Sequence, residues 1–206
     1  MEADGIKSLL VYEGKLETDE QVLSILRQHN CNMWQGVADS GDDTTHVYRF
    51  CLQHGINAIK GGKEAFYAHS EDGGARRIFS PERPLHAMIN APAKFQYVST
   101  TEGNRPDPRE PMFWLYSKSG IRERLYWLRN ESKWETPEDV SEDYQRHQEA
   151  EERVAMKNGR TGETIYEWVQ QKTRNDQFVN ECYIAMQIEM AGMIMKSDNK
   201  KSRINP

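Results

Sequence analysis

The segment that decides the fold of this chain is Trp34–Phe50, which reads WQGVADSGDDTTHVYRF. A short apolar run ends in the acid Asp39, and Ser40–Gly41 then turns the chain. Thr44 or Thr45 can cap the helix that follows. This order predicts a buried strand whose last side chain, Asp39, emerges at the carboxyl edge of an α/β sheet, where ligands of such sheets bind.

A carboxylate at that edge suits a metal ion as well as an ordinary turn. Mg²⁺ is a hard cation that binds through one or two carboxylates together with substrate phosphates, so Asp39 is a candidate ligand. Turn and helix-cap chemistry produces the same order of residues without any ligand. This segment by itself therefore leaves both interpretations open.

The composition is that of a globular protein. Of the 206 residues, 37% are hydrophobic and 29% are charged, which favours one domain with a single core. No run approaches the roughly 20 apolar residues of a membrane span, and the polar N-terminus does not resemble a signal peptide. Cys31, Cys51 and Cys182 are far apart and odd in number, which argues against a disulfide framework and indicates a reducing compartment.

Charge is distributed unevenly along the chain. The net charge is −5, yet residues 57–133 carry an excess of Lys and Arg while both ends are acidic. A basic middle fits a phosphate-binding surface beside a carboxylate cluster, although an excess of this size also arises by chance. Residues Lys60–Lys63 read KGGK and do not form a nucleotide-binding loop, because neither their spacing nor the following residue matches that motif.

A second pair of acids, Asp176 and Glu181, lies near the end of the chain. They are separated by roughly 140° around a helix, so they cannot both point at one metal ion from inside it. We expect Asp176 to start the last helix and Glu181 to face inward, near Phe178 and Cys182. In the alternative, Asp176 caps the helix and Glu181 is a solvated helix residue.

Hydrophobic periodicity and turn residues predict alternating strands and helices, which is typical of an α/β sheet. A polar, charged tail at residues 196–206 is expected to be disordered. The predicted elements are a strand at Ile6–Tyr12, a helix at Asp19–Gln28, the Asp39 strand, a helix ending at Gly55, a strand at Ile56–Lys60, long loops over Gly73–Pro111 with one short hairpin at Phe95–Thr100, a strand at Met112–Tyr116, a helix opened by Ser117 or Ser119, a helix within Pro137–Val154, a strand at Ile165–Val169 and a helix at Asp176–Met195.

Several short motifs follow one another along the chain in a recognisable order and spacing. They are Gly36–Gly41, Thr45–Phe50, Ile56–Gly61, Ser117–Lys118, Trp134–Pro137, Val140–Tyr144, Glu149–Glu151, Tyr166–Trp168 and Arg174–Cys182. Each is weak alone, but together the set resembles the nuclease half of the large terminase subunits of lambda-type tailed phages. The resemblance covers roughly residues 6–192.

This resemblance implies a fold, an activity and a metal. The expected fold is an RNase H-like mixed sheet flanked by helices over residues 1–195, with the strand that ends at Asp39 in a central position and the helix of Glu181 packed across it. The expected activity is that of a DNA endonuclease, a hydrolase that cuts concatemeric phage DNA during packaging with two Mg²⁺ or Mn²⁺ ions on three acids. Motif by motif, Asp39 and Glu181 match two of those catalytic and metal-binding acids, with Asp176 the rival of Glu181.

The resemblance also implies partners. Double-stranded DNA is the expected substrate, and Lys60, Lys63 and Lys118 would offset its phosphate charge. The terminase small subunit and the portal protein are the expected protein partners. The expected location is the cytoplasm of the bacterial host, without membrane contact.

One feature of the family has no match. Its first acid lies on a strand upstream of the one predicted at Ile6–Tyr12, so we expect this chain to lack that strand, its acid and the ATPase half. A fragment, a split gene or a degraded prophage gene would give this pattern, with activity expected only in a fuller protein. Two alternatives stay open: a catalytically incomplete remnant that binds DNA or packaging proteins, and an unrelated α/β phosphate-binding protein.

Overall fold

The computed structural model describes residues 8–69, 75–89, 111–172 and 174–190. The chain divides into two compact units. The sheet unit comprises Leu16–Lys118, and the ribbon unit combines Met1–Lys15 with Ser119–Pro206. The chain is a mixed α/β protein whose main sheet has both parallel and antiparallel strands and is flanked by helices, as the sequence predicts.

The described residues form helices and strands with the following bounds. The helices are α1 (Asp19–Gln28), α2 (Thr44–His54), α3 (Leu85–Ile89), α4 (Lys118–Asn130), α5 (Glu142–Gln148) and α6 (Asp176–Met190). The strands are β1 (Ser8–Leu9), β2 (Val37–Asp39), β3 (Asn57–Gly62), β4 (Tyr67–His69), β5 (Ala75–Arg77), β6 (Phe79–Pro84), β7 (Met112–Ser117), β8 (Trp134–Glu135), β9 (Glu151–Lys157) and β10 (Thr164–Gln170). The predicted Phe95–Thr100 hairpin and the 196–206 tail lie outside the described residues.

The main sheet of the sheet unit has the strand order β2–β3–β7–β6. Strands β2, β3 and β7 run parallel, whereas β6 is antiparallel to β7. A central position for the Asp39 strand, which we expected, is therefore wrong: among the described strands β2 lies at an edge. The reason is that β1, the strand before it in the chain, pairs with β8 instead.

The residues between Gly73 and Pro111 contain more regular structure than the predicted loops. Strands β5 and β6 and helix α3 all fall there. The sequence did not predict β6 because it contains Pro81 and Pro84, and proline removes a backbone donor and argues against a strand. The structure accommodates them because β6 is an edge strand whose register shifts between Pro81 and Arg83.

One face of the main sheet packs against helices to form the core of the sheet unit. Ala58 of β3 pairs with Phe113 of β7, and the ring of Phe113 meets Tyr48 of α2 edge-on at 5.8 Å. Helix α2 ends at Gly55, whose φ of 73° is the left-handed conformation that glycine favours at a helix end. The other buried members of this core are Cys51, Ile56 and Leu85.

The ribbon unit contains α5, α6, the antiparallel pair β9–β10 and α4 from Ser119 onward. Helix α5 is the helix predicted within Pro137–Val154, and it begins after Ser141, whose hydroxyl accepts a hydrogen bond from the backbone N–H of Tyr144. It ends at Gln148, and β9, which the sequence did not predict, follows. Strand β9 forms by pairing with β10 along seven residues, a long-range contact that local propensity does not reveal. No helix in the described part of the chain is long and apolar enough to cross a membrane.

Candidate active site

Asp39 ends β2 in the exposed position that the sequence predicts. Its Oδ1 accepts a hydrogen bond from the backbone N–H of Gly41 at 3.0 Å. The next residue, Ser40, is fully buried, and both its hydroxyl and its N–H donate to the carbonyl of Ile59, at 2.9 and 2.8 Å. Thr44 then donates its hydroxyl to the carbonyl of Ser40 at 2.8 Å. These bonds hold the acidic turn against the neighbouring strand.

Strand register determines which side chains share a face with Asp39. Asp39 pairs with Ile59, and Ile59 pairs with Trp114, so these three project from the same side of the sheet. Lys60, one residue after Ile59, projects from the opposite side, the side that packs against α2. The sheet therefore separates Asp39 from Lys60, although both lie toward the carboxyl ends of parallel strands.

Lys118 lies on the same face as Asp39. A Cβ atom added to Gly61 would lie 2.3 Å from Cε of Lys118, which shows that the lysine stem runs over this glycine. Gly61 follows Ile59 by two residues, so its missing side chain would project on the face of Asp39. Of the three predicted DNA-binding lysines, the structure thus places Lys118 over the Asp39 face, Lys60 on the opposite face and Lys63 in an exposed position after β3.

Glu181 faces inward from α6, as its helical position predicts, and is 1% exposed. The guanidinium of Arg129 donates from Nη2 to its Oε2 at 2.5 Å. Burial raises the pKa of Glu181 above its usual value, and the positive charge and hydrogen bond of Arg129 oppose that shift only in part. Within the described residues, Oε1 of Glu181 and the nearby indole Nε1 of Trp134 are buried and complete no hydrogen bond of good geometry.

Asp176 occupies the first position of α6, as predicted, and its side chain is exposed. Arg174 donates to its Oδ2 at 2.9 Å from Nη2 and 3.2 Å from Nε. Asp176 therefore differs from Glu181 in burial, although each carboxylate has an arginine partner. Glu181 points inward and Asp176 faces solvent, which agrees with the expectation that only one of the two can serve an inward-facing site.

The predicted acids fall in both units: Asp39 in the sheet unit, and Glu181 and Asp176 in the ribbon unit. A site shared by these acids remains a prediction. Among the described residues, no group of three or more His, Cys, Asp or Glu side chains is placed to hold a metal ion. Taken singly, the carboxylates of Asp39 and Glu181 offer the oxygen ligands that Mg²⁺ and Mn²⁺ prefer.

Sequence reasoning missed the arginines that accompany the buried glutamates. Helix α4 supplies them: Arg129 pairs with Glu181, and Arg122 binds Glu151 through both carboxylate oxygens. A third pair joins Arg124 to Glu189 of α6 at 2.6 Å. The seven-residue spacing of Arg122 and Arg129, which places both on one helix face, was the available signal.

Comparison with known proteins yields no relative for this chain: no protein-family model, no curated protein and no solved structure matches it.

Proposed function

We propose that this chain is the nuclease part of a phage or prophage DNA-packaging terminase, with an RNase H-like fold. In this proposal it hydrolyses phosphodiester bonds of double-stranded DNA with Mg²⁺ or Mn²⁺. The observation that carries the proposal is the exposed carboxylate of Asp39 at the end of a parallel strand, held by a bonded turn and flanked on the same face by Lys118. The resemblance of its motif order to that of the lambda-type terminases suggests the reaction class.

Particular residues have particular tasks in this proposal. Asp39 and Glu181 would hold the metal ions, with Asp176 the alternative to Glu181. A bound divalent ion would activate water and stabilise the leaving oxygen. Lys118 would offset phosphate charge beside Asp39, and Ser40 would keep the acidic turn against β3. Arg129 would hold Glu181 in place within the helix packing.

Metal binding by Asp39 tests the proposal most directly. The variant Asp39→Asn keeps an Oδ1 acceptor for Gly41 but removes the charge, so the turn should persist. We expect its Mn²⁺ affinity in calorimetry to fall about tenfold or more, since even the loss of an outer-shell partner costs that much. Glu20→Gln removes an exposed carboxylate from α1 and serves as the matched control. Equal Mn²⁺ affinity in Asp39→Asn and the unmodified chain would refute the proposal.

Cleavage gives the second test. Two-metal hydrolysis needs enough carboxylate charge to hold both ions, and the resemblance to the terminases assigns two acids of residues 1–206, Asp39 and Glu181, to this task. We therefore expect little or no plasmid nicking by the chain alone with millimolar Mn²⁺, and restored nicking when an upstream segment bearing a strand-borne Asp is added. Strong Asp39-dependent cleavage without that segment would show that another residue completes the site, with Glu13, Asp42 and Asp176 the first candidates.

One observation favours a second candidate, a DNA-binding module without catalysis. Arg129 already neutralises part of the charge on Glu181, which leaves less attraction for a cation there. This candidate predicts duplex binding that falls with salt, as phosphate contacts require, together with no measurable Mn²⁺ binding by the chain or by the chain with the upstream segment. The calorimetric titration separates the two candidates.

A further inference from the structure

The β9–β10 ribbon has two chemically different faces. Because side chains alternate along each strand, the register assigns every ribbon residue to one face or the other. The first, here called the stacking face, carries the pairs Glu151–Gln170, Arg153–Trp168, Ala155–Tyr166 and Lys157–Thr164. The second carries Glu152, Val154, Met156, Ile165, Glu167 and Val169. The exposed acids Glu152 and Glu167 therefore lie opposite the stacking face, whereas Glu151, at one end of the stacking face, is buried and ion-paired with Arg122.

An arginine is sandwiched between two tyrosines on the stacking face. The guanidinium carbon of Arg153 lies 3.7 Å from the ring centroid of Tyr166 and 4.6 Å from that of Tyr126 in α4. Glu123 fixes this arrangement, because its carboxylate accepts from Nε of Arg153 at 2.9 Å and from the indole of Trp168 at 2.8 Å. The rings are thus held in defined positions before any ligand arrives.

Much of this aromatic surface faces solvent. Tyr166 is 52% exposed, and Tyr126 is 40% exposed. Two further cations are exposed nearby, Lys157 on the same face and Arg160 in the connecting loop. That loop is ordered by Asn158, whose side chain accepts from the backbone N–H of Arg160 at 2.9 Å. Aromatic rings alternate here with cations in a way that the linear sequence does not show.

We propose that the stacking face binds single-stranded DNA, with bases on the exposed rings of Tyr166 and Tyr126 and phosphates near Lys157 and Arg160. Rings of this kind accept any base, since every base has a flat face, whereas a duplex keeps those faces stacked internally. The acids beside these rings, Glu123 and Glu151, are ion-paired with Arg153 and Arg122, so the exposed Lys157 and Arg160 supply the positive charge that would attract a polyanion. This inference rests on the proposed nuclease function. It adds a second form of DNA, the single strand, which binds at a separate surface.

The test is the binding of fluorescently labelled oligodeoxythymidine, about 12 nucleotides long, measured by anisotropy in EDTA and low salt. Tyr166→Leu keeps an apolar side chain against Arg153 but removes the aromatic face, and should weaken binding about fivefold or more. Tyr166→Phe retains the ring and should bind within about twofold of the unmodified chain. Met156→Ala, on the opposite face and 43% exposed, is the matched control and should bind normally.

Three results would overturn this inference: no single-strand binding by the unmodified chain, unchanged binding by a folded Tyr166→Leu variant, or an equal loss in Met156→Ala. Circular dichroism of each variant establishes that it is folded, and Tyr166→Ala gives a second folded test if the leucine variant is not. EDTA removes metal ions from the assay, and Asp39→Asn should bind the oligonucleotide normally. A failure here is therefore distinguishable from a failure of the proposed nuclease function.

Discussion

Lys118 lies across Gly61, on the face of the sheet from which Asp39 projects. A Cβ atom at Gly61 would lie 2.3 Å from Cε and 3.1 Å from Cγ of this lysine, and 3.2 Å from Oη of Tyr116. Gly61 and Tyr116 are register partners in β3 and β7, and Lys118 follows β7 after Ser117. The missing side chain at Gly61 is what leaves room for the lysine stem.

Gly61→Ala should displace Lys118 without unfolding the protein, because the atoms in the way belong to a flexible side chain. If Lys118 contacts DNA phosphate, Lys118→Ala lowers the slope of log Kd against log salt for duplex DNA by about one, and Gly61→Ala shifts it in the same direction. Titrations over a range of salt concentrations measure both slopes.

The double variant Gly61→Ala/Lys118→Ala tests whether Gly61→Ala acts through Lys118. If Gly61→Ala acts through Lys118, it should have no further effect on duplex affinity when Lys118 is already alanine, since the two changes remove one interaction. Additive losses in the double variant would contradict the mechanism and point to an independent effect of the added methyl group on β3.

Ser40→Ala should destabilise the sheet unit by about 1 kcal/mol, because it removes a buried hydroxyl that donates to the carbonyl of Ile59. The N–H of Ser40 still donates to that carbonyl in the variant, but Tyr48 loses its hydrogen bond to the same hydroxyl, so the cost should not be smaller. Urea unfolding measures the change, with the exposed Ser24→Ala in α1 as the matched control. A loss no greater than that of the control would show that the hydroxyl bond contributes nothing.

Glu181 should make stability depend on pH in a particular direction. Burial raises its pKa in the folded state, so between the usual glutamate value and the raised one the folded protein holds more protons than the unfolded chain. The free energy of unfolding contributed by this group is therefore greatest at low pH and falls as pH rises through that window. Relative to Glu181→Gln, the unmodified chain should lose stability as pH increases.

Urea unfolding from about pH 4 to pH 8 brackets that window. Exposed Glu167→Gln, in the same unit, controls for the loss of a carboxylate. If the unmodified chain instead becomes more stable relative to Glu181→Gln as pH rises, Arg129 outweighs burial and lowers the pKa of Glu181.

The cysteines should differ sharply in reactivity. Cys31 is exposed, whereas Cys51 and Cys182 are buried, and burial raises the pKa of each buried thiol to about 12. Because the thiolate is the reactive form, a disulfide reagent should modify Cys31 rapidly in the native protein and the other two only after unfolding. Cys31→Ser should abolish the rapid phase, and a rapid phase that survives in that variant would contradict the burial of the other thiols.

Local signals in the sequence were enough to predict the segments whose hydrogen bonds join residues a few positions apart. Asp39, the serine–glycine turn and the helix ending at Gly55 follow from residues within a few positions of one another, and the left-handed glycine ends the helix as expected. The cap at the start of that helix was predicted wrongly: Asp43, not Thr44 or Thr45, accepts the hydrogen bond from the backbone N–H of His46, because the hydroxyl of Thr44 is bonded to the carbonyl of Ser40. The inward direction of Glu181 likewise follows from helical phase. Such features need no knowledge of distant partners, which is why they were predictable.

The tertiary structure decided everything that depends on pairing between distant segments. The edge position of β2, the proline-containing strand β6 and the strand at β9 each arise from a partner strand elsewhere in the chain. Arg129 beside Glu181 and Arg153 between two tyrosines join residues that periodicity cannot relate. The physical reason is that backbone pairing and ion-pair formation release free energy only when separate segments meet, and a local pattern carries no record of which segments those are.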